Sequence, residues 1–135
     1  AVPAMVAGGG GAIVTCAAYS IHAPKPVLLH YAAMKAAIAV FTKGIAKAHG
    51  AEGLRANCLA PGAFATEALD GTRTALGGAD DVRLWQEMRD TYGMKAALDR
   101  IGDPREAGEL IAFLLSKKAA YLTGALINID GGTDF

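Results

Sequence analysis

The fold is decided by residues 11–62, which read GAIVTCAAYSIHAPKPVLLHYAAMKAAIAVFTKGIAKAHGAEGLRANCLAPG. Residues 12–17 are short, apolar and partly β-branched after a run of glycines, which predicts a strand buried on both faces of a sheet. Residues 27–49 contain no proline and follow a proline-rich loop, so they predict one long helix. Residues 54–60 predict a second strand, closed by a Pro-Gly turn. Strand, helix and strand form a right-handed βαβ unit, and such units build the parallel sheets of α/β proteins.

The predicted long helix is apolar on almost every side, which is unusual for a helix that faces water. Its surface therefore needs a covering core, and we expect a second subunit to cover part of it as well. A helix buried wholly in the core of one chain is the alternative. The apolar positions are Leu28, Leu29, Ala32, Ala33, Met34, Ala36, Ala37, Ile38, Val40 and Phe41.

Residues 63–101 show little periodicity, and a stretch of this length between regular elements is typical of a lid or a binding loop. One short amphipathic helix is predicted within it, beginning near Asp80 or Asp81. Two residues of its apolar stripe, Trp85 and Met88, either cover a substrate pocket or simply pack on the core. The full stripe is Leu84, Trp85, Met88 and Tyr92.

The last third of the chain predicts a helix and a strand. Asp103 is a candidate N-cap, Pro104 stands at the first helical position, and Glu106 completes a capping box. Residues 125–129 predict a third apolar strand. Because no repeat and no linker interrupts the sequence, residues 1–135 are predicted to form one unit of three parallel strands with flanking helices.

Composition excludes several classes of protein. Of the 135 residues, 53% are hydrophobic and 19% are charged, which is typical of a globular domain. The 13 basic and 13 acidic side chains give no net charge, so neither nucleic acid nor a membrane surface is expected as a partner. Lys35, Lys43 and Lys47 interrupt the longest apolar run before it reaches the roughly 18 residues of a spanning helix.

Cysteine and histidine also restrict the possible chemistry. Cys16 and Cys58 are too few for a disulfide framework, which favours a reducing compartment, and we expect the cytoplasm. His22, His30 and His49 do not share the spacing of metal ligands, so no metal site is predicted.

Tyr31 and Lys35 are the residues that suggest catalysis. They stand four positions apart on the predicted long helix, so they project from the same face one turn apart. A nearby ammonium favours the phenolate form of a tyrosine, which suits a phenol for general acid/base work. A helix tyrosine beside a lysine with its head in solvent is the structural alternative.

This pair stands within a longer series of motifs. In chain order they are APKP at 23–26, YAAMK at 31–35, NCLAPG at 57–62, Thr66 and LINIDGG at 126–132. The series resembles the short-chain dehydrogenase/reductase family, in particular the C-terminal half of a single-domain, 3-oxoacyl reductase-like enzyme. The resemblance runs from about Met5 to Gly132 and implies a doubly wound parallel Rossmann-type sheet. Residues 1–135 would be part of that domain, with 63–101 as its substrate-binding loop or lid.

The resemblance also implies an oxidoreductase that interconverts a small alcohol and a ketone with NAD or NADP. Tyr31 would exchange a proton with the substrate oxygen, while Lys35 would bind the nicotinamide ribose. Members of the family are commonly homo-oligomers, so a tetramer or dimer built on the long helix is implied. The other residues at the cofactor would be Pro61, Gly62, Phe64 and Thr66.

One departure from the family pattern lies in the catalytic set. The family usually places a serine 13 residues before the tyrosine, to donate a hydrogen bond to the reacting oxygen, and that position here is Ala18. A missing donor of this kind costs about 10²–10³ in rate. Ser20 is the nearest hydroxyl and either substitutes for it or has only a structural role.

A second departure concerns the phosphate-binding glycines of the family. Residues 8–11 are all glycine, but they precede a strand, whereas a dinucleotide fingerprint follows a strand and opens a helix. They predict a turn from a helix into a strand. We therefore expect the N-terminal cofactor half to be absent from this sequence. A catalytically impaired relative that acts as a binding or assembly module is the alternative function.

Overall fold

A computed structural model describes residues 1–133, and within them three strands form one parallel sheet. These strands are β1 (Gly11–Cys16), β2 (Leu54–Pro61) and β3 (Leu126–Ile129), and β2 lies between the other two. The three predicted strands and the parallel α/β class are confirmed. The predicted unit 1–135 extends two residues beyond the described part.

The long helix predicted over 27–49 is present as α2 (Leu29–His49). It begins two residues later than predicted because Pro26–Leu28 forms a single 3-10 turn in front of it. Other 3-10 turns lie at Tyr19–Ile21, Gly50–Glu52, Glu67–Leu69 and Lys117–Ala119. The remaining helices are α1 (Val2–Ala7), α3 (Asp70–Ala75), α4 (Asp81–Tyr92) and α5 (Pro104–Leu115).

Two helices begin where the sequence places their caps. The Asp103 carboxylate accepts a hydrogen bond from the backbone N–H of Arg105, and Glu106 accepts one from the N–H of Asp103 at 2.8 Å. This confirms the capping box of α5. The Asp80 carboxylate accepts from the N–H of Arg83 at 2.9 Å and caps α4 in the same way.

Helices cover both faces of the sheet. Successive residues of a strand point to opposite faces. On one face Leu54 and Ala56 of β2 pack with Ala46 of α2. On the other face Leu59 packs with Leu114 of α5. The sheet is therefore wound with helices on its two sides, as the predicted doubly wound fold requires.

The prediction that the first strand is buried on both faces is wrong for the described chain. The four inner residues of β1 are half-buried, and its two end residues, Gly11 and Cys16, are exposed. The reason is topological, because β1 stands at the edge of the sheet and pairs only with β2. Composition shows that a strand is apolar but does not show which neighbours cover it.

The described residues do not bury α2 completely. Only Ala32, Thr42 and Ala46 of this helix are buried. Met34 is 68% exposed and Phe41 is 67% exposed, so an apolar face of α2 is open to solvent in the described chain.

The predicted turn between α1 and β1 is confirmed. α1 ends at Ala7 and the strand begins at Gly11. Gly10 has a φ of 107°. A β-carbon on Gly10 would lie 2.3 Å from the carbonyl oxygen of Gly53. Only glycine allows this approach, so the glycine run is a structural turn.

Residues 63–101 are more regular than expected. They contain α3 and a 3-10 turn besides the predicted α4. The two ends of the segment meet, because Phe64 bridges Gly102 and the N–H of Gly102 donates to the carbonyl of Ala63 at 2.9 Å. The segment is thus a closed excursion from the sheet, which we call the lid segment.

No helix within residues 1–133 combines the length and the apolar character that crossing a membrane requires.

Candidate active site

Tyr31 and Lys35 lie one turn apart near the N-terminal end of α2. The ammonium nitrogen of Lys35 is 5.6 Å from the centre of the Tyr31 ring, within the range of a cation–π contact. Tyr31 is 41% exposed. Its phenol is therefore accessible to a small molecule while a cation lies beside it.

The position of this pair is fixed by contacts between α2 and β1. Lys35 Nζ donates a hydrogen bond to the carbonyl oxygen of Cys16, the last residue of β1, at 3.2 Å. Farther along the helix, the hydroxyls of Thr15 and Thr42 lie 2.7 Å apart and share a hydrogen bond. The helix is thus attached to the strand at two points, and Lys35 is held at the strand's carboxyl end.

Gly62 allows the carboxyl ends of β2 and β3 to lie unusually close. Its N–H donates to the carbonyl of Ile129 at 3.0 Å. A β-carbon at position 62 would lie 2.7 Å from the Cα of Asp130, closer than such atoms approach in proteins. Open α/β sheets bind ligands in the crevice outside the carboxyl ends of their strands. Gly62 therefore shapes the edge where a ligand is expected.

Phe64 and Thr66 follow directly after this glycine. The N–H of Thr66 donates to the carbonyl of Phe64 at 2.8 Å, and Thr66 stands at the start of the 3-10 turn Glu67–Leu69. The lid segment therefore begins with an ordered turn at the edge of the sheet.

A cavity of about 510 Å³ opens beside Tyr31 at this edge. Its size is within the range of small-molecule sites, about 300–1,000 Å³. It brings together most of the predicted site residues, whereas Lys35, Ala18, Ser20 and Trp85 do not line it. The predicted residues that do so are Tyr31, Pro61, Gly62, Phe64, Thr66 and Met88.

Ala18 and Ser20 are both buried, at 5% exposure. Ala18 has an extended backbone and precedes the 3-10 turn Tyr19–Ile21. The hydroxyl oxygen of Ser20 has no hydrogen-bond partner among the described residues. Ser20 therefore stays a candidate for the missing donor, but its hydroxyl lies outside the lining of the cavity.

Trp85 and Met88 are the two residues of the α4 stripe that the sequence predicts either to cover a substrate pocket or to pack on the core. Only Met88 lines the cavity with Tyr31. Trp85 is 4% exposed and packs in a core cluster with Leu84 and Ile101. Its indole N–H donates to the Asp99 carboxylate at 2.9 Å. For Trp85, the core-packing alternative is the one that the structure favours.

Several residues of the cavity wall escaped sequence reasoning. Tyr19 and Leu69 line it from the two loops at the edge of the sheet. Met94 lines it from the lid segment, and Ala107 lines it from α5. Three of them lie in segments without periodicity. Ala107 belongs to the apolar stripe of α5, which the sequence predicts to pack on the core. No local pattern marks them, because their positions depend on how the lid segment folds back.

The strongest electrostatic interactions lie outside this cavity. Hydrogen bonds from the Arg100 guanidinium and the Asp103 backbone N–H lower the pKa of Glu106 to about 2. A hydrogen bond from Trp85, assisted by the charge of Arg89, lowers the pKa of Asp99 below its usual value. These pairs fasten the lid segment to α5 and close it upon itself. No group of three or more metal-ligating side chains within residues 1–133 could hold a metal ion.

The residues around the cavity fit the nicotinamide and ribose portion of a dinucleotide. The Thr66 hydroxyl and the flat edge of Pro61 and Gly62 lie in its lining, and the Lys35 ammonium lies beside Tyr31. The lining carries no charged side chain. A parallel sheet with helices on both faces and a ligand-sized cavity at its carboxyl edge defines an α/β protein of the Rossmann type.

Comparison with known proteins identifies the family. The sequence model described as enoyl-(acyl carrier protein) reductase matches residues 1–134. The 2-keto-3-deoxy-L-fuconate dehydrogenase of Xanthomonas campestris is 35% identical over 133 residues, 97% of this chain and 42% of that protein. The chain belongs to the short-chain dehydrogenase/reductase family.

Solved structures agree with this assignment. L-sorbose reductase from Gluconobacter frateurii, in complex with NADPH and L-sorbose, matches with a TM-score of 0.81 and 31% identity. The match covers 97% of this chain and 50% of that one. A 7α-hydroxysteroid dehydrogenase with NADH and a 7-oxo bile acid conjugate matches with a TM-score of 0.78 and 27% identity, over 96% of this chain and 47% of that one. The chain thus spans about half the length of the proteins it matches.

Proposed function

We propose that this protein is an NAD(P)-dependent oxidoreductase that interconverts a small alcohol and a ketone, with Tyr31 as the general acid/base. The observation that carries the proposal is the placement of Tyr31. Its ring lines a cavity of about 510 Å³ at the carboxyl edge of the sheet, with the Lys35 ammonium 5.6 Å from its centre. A phenol beside a cation and open to a small-molecule cavity can move a proton at its oxygen.

In the proposed mechanism the Tyr31 phenol oxygen handles the proton. During reduction the phenol donates its proton to the carbonyl oxygen, and during oxidation the phenolate removes the proton from the hydroxyl. Lys35 stabilises the phenolate charge and is itself oriented by the Cys16 carbonyl. A bound nicotinamide supplies the hydride donor or acceptor.

NAD or NADP is the proposed cofactor. Pro61, Gly62, Phe64 and Thr66 would hold its nicotinamide portion, because they line the cavity on the side of β2. Solved relatives bind NADH in one case and NADPH in another, so the family likeness supports both.

A second candidate function is a binding or assembly module with impaired catalysis. Ala18 favours it, because a buried methyl group stands where a hydroxyl would stabilise the reacting oxygen. Replacing Ala18 by Ser separates the two functions. If the active-site geometry persists, turnover should rise by about 10²-fold. Bound cofactor without turnover before and after the substitution would support the module.

The lid segment and the exposed face of α2 support two further parts of the proposal. The lid segment would bind substrate, since Met88 and Met94 line the cavity from it. A homo-oligomer, a tetramer or dimer, would cover apolar side chains such as Met34 and Phe41.

Both cysteines are free thiols, which agrees with the proposed cytoplasmic location.

The decisive experiment is Tyr31→Phe in the full-length gene product. Loss of the phenol oxygen should lower kcat by about 10²–10⁴-fold, since this is the usual contribution of general acid/base catalysis. Cofactor affinity, measured by fluorescence titration, should stay within about twofold. Tyr121→Phe is the matched control, because Tyr121 is fully exposed and does not line the cavity. Full turnover in Tyr31→Phe would refute the mechanism.

A further inference from the structure

We infer that the cavity beside Tyr31 selects uncharged, largely apolar ketones and secondary alcohols, and that Met88 and Met94 determine this selectivity. The inference rests on the proposed function and adds the substrate class to it. The starting observation is that none of the described residues lining the cavity carries a charge. Around the phenol, the wall consists of alanine, leucine, methionine, proline and aromatic side chains, with one threonine hydroxyl.

Three cations on the segments that flank the cavity do not line it and are bound to other groups. Arg100 binds Glu106 with two hydrogen bonds, at 2.9 and 2.6 Å. Lys25 donates to the backbone carbonyl of Tyr92. Lys35 donates to the Cys16 carbonyl and does not line the cavity. No cation lines the described cavity wall, so an anionic group on the far end of a substrate would meet no oppositely charged side chain in that wall.

The energetic consequence is a penalty against ions. A carboxylate or phosphate that leaves water for an apolar wall loses hydration and gains no partner. A buried unpaired charge is strongly unfavourable, and the cost is smaller in a cavity that is open to water. We expect it to lower kcat/KM for the anionic substrate by roughly 10²-fold relative to the neutral one. A neutral chain of the same length instead gains from the burial of its methylene groups.

The two methionines give this wall its particular character. Met88 projects from α4 and Met94 follows the end of that helix, so both belong to the lid segment. Methionine is unbranched and polarizable, and it adapts to ligands of different shape. The cavity should therefore discriminate by charge much more than by the branching of an apolar substrate.

The test compares a matched pair of methyl ketones with the full-length gene product. 2-Octanone and 7-oxooctanoate have the same chain length and differ by a terminal carboxylate. We expect kcat/KM to favour the neutral ketone by roughly 10²-fold. Met88→Lys should reduce that preference at least tenfold, since it adds a partner for the carboxylate. Val82→Lys is the matched control, because Val82 lies on the same helix, is 67% exposed and does not line this cavity. The control should leave the preference unchanged.

A binding experiment separates this inference from the proposed function. Heptanamide and 6-carbamoylhexanoate present a carbonyl that is not reduced, and calorimetry gives their dissociation constants without turnover. The inference is supported if the wild type binds heptanamide more tightly than 6-carbamoylhexanoate and Met88→Lys binds the two amides about equally. This holds even if Tyr31→Phe retains activity and the mechanism fails. Equal binding of the two amides, or equal turnover of the two ketones by an enzyme that Tyr31→Phe inactivates, overturns the inference and leaves the function standing.

Discussion

The βαβ region of residues 11–62 and the lid segment meet at the same cavity but are built differently. In the βαβ region the central strand β2 is buried over most of its length. A hydrogen bond from Lys35 to the Cys16 carbonyl and one between the Thr15 and Thr42 hydroxyls fix the helix to β1. The lid segment has a small core around Leu84 and Trp85 and is held mainly by its ends. The proposed catalytic pair lies on the βαβ region, and the proposed selectivity residues lie on the lid segment.

The largest expected difference between the regions is in core packing. Leu59→Ala in β2 and Leu84→Ala in α4 remove equal side chains, which are 1% and 0% exposed. Leu59→Ala should lower the free energy of unfolding by about 2–5 kcal/mol, measured by urea denaturation. If the lid segment opens on its own, Leu84→Ala should cost less than half as much globally.

Hydrogen exchange provides the local measurement for the same pair. Leu84→Ala should accelerate exchange mainly in α4, whereas Leu59→Ala should accelerate it throughout the sheet. Equal global losses with uniform exchange would mean that the two regions unfold as one cooperative unit.

A smaller difference is expected at the helix caps. Asp103→Ala removes the N-cap of α5, which packs on the sheet through Leu114, and should cost about 1 kcal/mol of global stability. Asp80→Ala removes the matching cap of α4. It should loosen the lid segment and raise KM for apolar ketones, with little change in the denaturation midpoint. Identical denaturation midpoints for the two variants would mean that α4 contributes to global stability as much as α5 does.

The smallest effect should come from the ion pair that joins the lid segment to α5. The pKa of Glu106 is about 2 in the folded protein and 4.5 for the free side chain, so its interactions stabilise the fold above pH 4.5. That contribution disappears as the pH falls from 4.5 to 2. Arg100→Gln removes the first cause of the shift.

The variant should melt a few degrees lower than the wild type at pH 7, because exposed ion pairs contribute little. The difference should shrink to a small remainder near pH 2, where Glu106 is about half protonated in the wild type and almost fully protonated in the variant. Melting curves followed by circular dichroism at several pH values measure this, and a difference that persists undiminished at pH 2 would assign the effect to packing of the arginine stem.

Much of the fold outside the lid segment is predictable from the sequence because local periodicity determines it. The spacing of Tyr31 and Lys35 on a helix fixes their relative positions, and the capping box fixes the start of α5. The lid segment is less predictable. Trp85 and Met88 share one apolar stripe and both pack in the cluster around Leu84, yet only Met88 also lines the cavity of Tyr31. The stripe cannot distinguish them, because the choice depends on where residues 94–101 fold back.

Burial of β1 shows the same limit, since its apolar composition does not reveal that it lies at the edge of the described sheet. Tyr19 is a further example. It follows Ala18 in a segment with no periodicity, and only the turn Tyr19–Ile21 brings its ring to the cavity of Tyr31.

The close approach of Gly62 to Asp130 has a consequence for laboratory evolution of this protein. Any side chain at position 62 must displace the backbone after β3, so a randomised codon there should return almost only glycine among active clones. Position 88 has no such backbone constraint, and many different codons should survive there. Met94 is 7% exposed and packs in the cluster with Leu84 and Trp85, so mainly apolar residues should survive at position 94. Substitutions in the lid segment can therefore change which substrates are accepted, while the close contact between the ends of β2 and β3 stays the same in every active clone.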